Sequence, residues 1–203
     1  MYRGEFKRIT PLNLLMVAPL RVLCISGSLP LSSTNGRILE IVTERISAQG
    51  AEAKIWDLAE NPLPLVGAEG SWNDPKVGEF QEFASICDAY VLSTPEYHGS
   101  YSSVLKHQLD WLYSSHVGGK PFALISTLGG RSSNNALNHL RIVVRWVHGH
   151  CIPEQIAVPH AKESFDDDGN LDSEELSDRL DALVASLVDH AAFYRERSKS
   201  LEA

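Results

Sequence analysis

The 203-residue chain is poor in several features that mark common protein classes. It has only three cysteines, Cys24, Cys87 and Cys151, with no CxxC pair. Such spacing excludes a disulfide framework and a zinc site, and it points to a reduced, cytoplasmic protein. No apolar stretch reaches the roughly 18 residues that a membrane-spanning helix requires. Runs of lysine and arginine are absent, and 26 acidic against 18 basic residues leave a formal charge of −8. That sign repels phosphate backbones, so neither nucleic acid nor a membrane is expected as a partner. Three signatures are missing as well. Without GxGxxG or GxxxxGK[ST] there is no dinucleotide fingerprint and no P-loop, and without GxSxG there is no serine-hydrolase elbow.

What remains is ordinary globular composition, 43% hydrophobic and 22% charged, enough for one well-buried core. The first 20 residues carry basic positions and a short apolar run that Asn13 and Pro19 interrupt, which is unlike a signal peptide. Residues 1–20 are read as a flexible extension, or as sequence upstream of the true start, ahead of a single domain over 21–197.

Within that domain, short apolar runs alternate with segments of helical period. Residues 21–28 (RVLCISGS) form a continuous apolar run, as does a strand buried on both faces. The segment after it carries Ile38, Ile41, Val42 and Ile46 on one helical face, with Ser33 or Thr34 as cap and Gly50 at the other end. Further strands are read at 52–58, 89–97, 121–130 and, between Pro153 and Pro159, at 156–158. Helices are read at 76–87, 103–113 and 133–147, and a last one opens on an Asp172/Glu175 capping box. Ten acids against one arginine over 163–189 describe a solvated face. His148 and His150 lack cysteine or carboxylate neighbours and do not make a metal site. Trp111, Tyr113 and Trp146 lie on helices and are read as core or interface. Alternating strands and helices give an α/β fold with a five-stranded parallel sheet, and right-handed crossovers favour the order 2-1-3-4-5.

In such a sheet a ligand sits beyond the carboxyl ends of the strands, where the strand order reverses. The three loops there read GSLPLSSTN (27–35), TPEYHGSYSS (94–103) and TLGGRSS (127–133). The first combines hydroxyl groups with the free amides of a helix start, which suits an anion such as phosphate. The second offers Pro95, Glu96, Tyr97 and His98. The third offers Gly129 and Gly130, where no Cβ blocks the approach of a flat ring.

From about residue 20 to 195 the chain resembles the NAD(P)H-dependent FMN reductases, flavodoxin-like proteins whose group includes chromate, azo-dye and quinone reductases. Three motifs carry the resemblance. Gly27, Ser28, Leu29, Ser33 and Asn35 match the phosphate loop; Pro95, Glu96, Tyr97 and Ser100, with Leu105, Lys106, Leu109, Asp110 and Trp111, match the second motif; Ser126, Gly129 and Gly130 match the third. Leu140, Arg141 and Pro153 follow in the expected order. Pro30 stands where the family usually places a phosphate-binding arginine, with Arg37 one turn on as a possible replacement. His98 replaces the common asparagine, and Ser103 replaces a glycine.

The resemblance implies a three-layer flavodoxin-like sandwich that binds FMN through Ser28, Ser33, Thr34, Asn35, Pro95, Glu96, Tyr97, His98, Thr127, Gly129 and Gly130. It implies hydride transfer from NADPH or NADH to the flavin, then to a small acceptor, in ping-pong order, with no catalytic side chain and no metal. It also implies a homodimer or homotetramer. A non-catalytic electron carrier or redox-sensing FMN protein is the alternative.

Overall fold

Apolar runs bounded by glycine, proline or a polar turn become the parallel strands of the computed structural model, which describes residues 18–131 and 134–202 (side chains as far as 200). In chain order these are β1 (Arg21–Ser26), α1 (Thr34–Ala48), β2 (Glu52–Trp56), α2 (Pro75–Ile86), β3 (Ala89–Tyr97), β4 (Ser100–Tyr101), α3 (Ser103–Leu109), α4 (Ser114–Val117), β5 (Pro121–Thr127), α5 (Asn135–Trp146), β6 (His150–Val158) and α6 (Glu174–Glu202). The parallel strands lie in the order β2-β1-β3-β5-β6, which is the predicted 2-1-3-4-5 once the two-residue β4 is set aside. That extra strand pairs antiparallel with the end of β3, Glu96 opposite Tyr101.

Alternate residues of β1 feed two cores. Val22 and Cys24 pack with Ile38, Leu39 and Val42 of α1 and with Leu180, Leu183 and Leu187 of α6. Leu23 and Ile25 face the other side, with Phe80 of α2, Leu105 of α3 and Leu137 and Leu140 of α5. Trp111, fully buried, belongs to this second core. Arg195 of α6 clamps Asp88, its Nε 2.8 Å from Oδ1, and donates through Nη2 to the carbonyl of Pro19 at 2.9 Å. Residues 18–20 are thereby fastened to the body of the fold, whereas the rest of the predicted extension lies outside the described residues.

Several boundaries differ from the sequence expectation. β6 spans nine residues rather than three. Its polar stretch Pro153-Glu154-Gln155 reads poorly as a strand, yet at the sheet edge a missing amide and polar side chains are tolerated. Arg141 occupies this edge: its Nη2 donates to the carbonyls of Ile152 (3.0 Å) and Pro153 (3.2 Å), and its Nε to Gln155 Oε1 (2.8 Å). The predicted helix over 103–113 stops at Leu109, which frees Trp111 to turn inward and donate its Nε1–H to the Pro64 carbonyl at 2.8 Å. The cap of α6 is Ser173, whose Oγ accepts the Leu176 amide at 3.3 Å. The expected Asp172 instead donates its amide to the Ser164 carbonyl. The fifth helix is observed from Asn135, and the predicted start at Ser133 lies outside the described residues. Ser33, as expected, caps α1 by accepting the Gly36 amide, and Gly50 follows its end at φ 80°.

Candidate functional site

The carboxyl ends of β1, β3 and β5 meet where the strand order reverses, and there the loops enclose a cleft of about 510 Å³. Nine of the eleven predicted residues line it: Ser28, Ser33, Thr34 and Asn35 from the β1–α1 loop, Pro95, Glu96 and Tyr97 from β3, and Thr127 and Gly129 from the tip of β5. A volume of this size is ordinary for a small-molecule site.

Asn35 organises the cleft rather than lining it passively. It is 1% exposed, and its Nδ2 donates to Thr127 Oγ1 at 2.9 Å and to Ser28 Oγ at 3.2 Å. Its Oδ1 accepts the Ser93 hydroxyl at 2.9 Å. One side chain thus ties the phosphate-type loop to the tips of β3 and β5. Both Ser28 and Thr127 accept from Asn35, which leaves their own hydroxyl protons to be donated elsewhere. At the start of α1, the amides of Thr34 and Asn35 have no acceptor among the described residues. Hydroxyl donors, free helix-start amides and the positive end of the helix dipole all favour an anion at this end of the cleft.

Tight packing behind the loop fixes its shape. A Cβ on Gly27 would lie 2.8 Å from Ser102 Oγ, 2.9 Å from Thr94 Oγ1 and 3.0 Å from the Ser93 carbonyl oxygen. Ser102 donates to the Gly27 carbonyl at 2.6 Å, and Gln108 Nε2 to the Ser26 carbonyl at 2.7 Å. By contrast, a Cβ on Gly129 would meet nothing within 4 Å, so the backbone there borders open space.

Glu96 is nearly buried, and its Oε2 accepts the Ala136 amide at 3.2 Å in the first turn of α5. This carboxylate therefore anchors a helix start while forming part of the cleft wall. Tyr97 is exposed beside it.

Two predicted residues lie away from the lining. His98, at φ 51°, and Gly99, at φ 74°, form the two-residue turn between β3 and β4. Positive φ at both positions is the pattern of a tight hairpin, and asparagine or histidine tolerates it better than most residues. The residue type here answers a backbone requirement. Gly130 accepts the His160 amide through its carbonyl at 2.8 Å.

Sequence reasoning missed the fourth wall, supplied by Ala161 and Lys162 after β6, because nothing local marks that loop as functional. It also missed the supporting hydroxyls Ser93 and Ser102, both buried; for Ser93, a polar residue inside the apolar run of β3 was the available signal. Arg37, flagged for its position one turn into the helix, does line the cleft. Trp111, Tyr113 and Trp146 do not line it. Among the described residues no cluster of three metal-ligating side chains occurs, and no helix is long and apolar enough to cross a membrane.

A parallel sheet in this order, with a hydroxyl-lined loop and a glycine-edged cleft at its switch point, defines a flavodoxin-like protein. The family model for NADPH-dependent FMN reductases matches residues 20–163, and the chain belongs to that family. It is 35% identical over 175 residues to an FMN-dependent NADPH-azoreductase of Staphylococcus aureus, covering 82% of this chain and 92% of the relative. Among solved structures, the flavoenzyme NAD(P)H:(acceptor) oxidoreductase FerB of Paracoccus denitrificans superposes with a TM-score of 0.72 at 24% identity, covering 86% of this chain and 98% of that one. An oxidoreductase of Corynebacterium diphtheriae gives 0.69 at 23% identity, covering 86% and 97%. These two likenesses establish the shared fold. Family membership makes the protein an NAD(P)H-dependent oxidoreductase that uses FMN.

Proposed function

We propose that FMN occupies the 510 Å³ cleft, its phosphate at the start of α1 and its ring between the tips of β3 and β5. Ser28, Ser33, Thr34 and the free amides of α1 would hold the phosphate. Pro95, Tyr97, Thr127 and Gly129 would flank the ring, with Glu96 and Asn35 fixing the walls, and His98 and Gly130 shaping the turns behind them. Bound there, the flavin supplies the two-electron chemistry between a reduced nicotinamide and an acceptor, which no side chain of the site provides. The protein's own part is to hold the phosphate by donors, to present main-chain groups along the ring edge, and to leave the cleft open enough for a second molecule. Convergence of nine predicted residues from three separate loops on one cleft is the observation that carries this reading.

Donor and acceptor would use the same opening in turn, hence a ping-pong order. The acceptor would be a small oxidised molecule: a flavin, quinone, azo compound, chromate or ferric chelate. Anaerobic addition of NADPH to the purified, FMN-loaded protein tests the central claim. Bleaching of the flavin absorption, with parallel double-reciprocal lines when an acceptor is varied, is expected; a flavin that stays oxidised under NADPH would favour a non-catalytic FMN carrier instead.

Assembly as a homodimer or homotetramer is part of the same reading. Ile142 and Trp146, one turn apart on α5, are 58% and 79% exposed, a pairing more typical of an interface than of a free surface. The three free cysteines support a cytoplasmic setting.

A further inference from the structure

We propose that Lys162, delivered to the cleft from the segment between β6 and α6, is the cation that neutralises the flavin phosphate and makes the protein select FMN over riboflavin. The inference rests on the placement of FMN argued above.

A phosphate ester brings up to two negative charges into a protein whose formal charge is −8, so the overall field opposes its entry. The loop that would receive it, residues 27–35, offers hydroxyls and amides but no cation, and Pro30 lacks even an amide proton. Two cations reach the cleft from elsewhere, Arg37 and Lys162. Neither forms an ion pair among the described residues.

Their surroundings differ. Arg37 also borders a neighbouring hollow whose wall carries Glu40, Glu44, Asp167 and Asp168. Four carboxylates there compete for its charge. The cleft beside Lys162 carries one carboxylate, Glu96, which is nearly buried and already accepts the Ala136 amide, and the backbone of Lys162 is well fixed. The buried Ala161 donates its amide to the Leu128 carbonyl at 2.9 Å, and His160 donates to Gly130 at 2.8 Å. The segment is therefore pinned to the tip of β5, and the flexible lysine stem projects from a rigid base. An ammonium on such a stem serves phosphate as a mobile point charge, without needing the fork geometry of arginine.

Titration of FMN and of riboflavin, by flavin fluorescence or calorimetry, into the wild type and the variants Lys162→Ala, Lys162→Arg and Arg37→Ala tests this. A charge-assisted phosphate contact corresponds to about a tenfold or greater change in affinity. Lys162→Ala is expected to weaken FMN by that factor and leave riboflavin within about twofold, since the riboflavin ring contacts are untouched. Lys162→Arg should restore most of the loss, and Arg37→Ala should cost less than Lys162→Ala. Unchanged FMN affinity in Lys162→Ala, equal weakening of FMN and riboflavin, or a larger loss in Arg37→Ala would each overturn the assignment. A wild type that binds riboflavin as tightly as FMN, or binds neither, would instead remove the phosphate placement itself, and the role of Lys162 with it.

Discussion

Asn35 Nδ2 lies 2.9 Å from Thr127 Oγ1, a hydrogen bond that joins the first turn of α1 to the tip of β5 across 92 residues of chain. Because the same amide also reaches Ser28, its removal should loosen the loop and the ring edge together. Asn35→Leu leaves the Ser93, Ser28 and Thr127 hydroxyls without this partner, at about 1–3 kcal/mol. Denaturant unfolding should show that loss, and FMN titration should show weakened binding of comparable size. Unchanged FMN affinity in a destabilised variant would separate the scaffold from the site.

Gly27 and Gly129 should behave oppositely when given a methyl group. Gly27→Ala places Cβ under 3.0 Å from two side-chain oxygens, and an overpacked site of this kind costs about 1–3 kcal/mol. Gly129→Ala meets no protein atom within 4 Å, so the melting temperature should stay unchanged while FMN binding weakens. Paired thermal melts and flavin titrations distinguish the two.

The turn residue His98 should be replaceable by residues that accept positive φ and by few others. His98→Asn is expected to match or slightly exceed the parent in stability. His98→Val, β-branched at φ 51°, should lose about 1–2 kcal/mol. Equal stability of the two variants would show that the turn rearranges.

Burial pushes the thiols of Cys87 and Cys151 up to about 11, and that of Cys24 higher still. In the unfolded chain a thiol titrates near pH 8.5. The folded state therefore binds the extra protons. Stability from this source is complete below about pH 8.5 and declines as the pH rises towards 11. Denaturant midpoints should fall over that window. Ellman's reagent at pH 8 should label the native protein slowly, Cys151 first because it alone is partly exposed, and all three thiols promptly in guanidinium. Fast labelling of the native protein at pH 8 would contradict the burial.

The sheet and three of the four cleft walls were legible because they rest on local signals: apolar runs for β1, β3 and β5, then glycine and hydroxyl residues immediately after them. The extent of β6 was not, since Pro153, Glu154 and Gln155 acquire strand geometry from their place at the edge rather than from their own preference. The cap of α6 slipped by one residue because Asp172 and Ser173 are both good caps, and the tertiary bond from Asp172 to Ser164 decides between them. Lys162 was invisible for a different reason. A lysine in an acidic, polar loop has no local meaning until the fold brings it to the same cleft as Ser33 and Thr34. Asn35 was recognised as part of the site, but its office of directing other hydroxyls emerges only from three partners distant in sequence.

The arginine laid along β6 closes that edge of the sheet to strand pairing. Arg141 already occupies the carbonyls of Ile152 and Pro153, and Pro153 has no N–H to give. That border refuses another strand. A neighbouring chain that approached this edge would meet side chains rather than open strand hydrogen bonds, and the two pleated layers would stay separate there instead of zipping into one continuous ribbon.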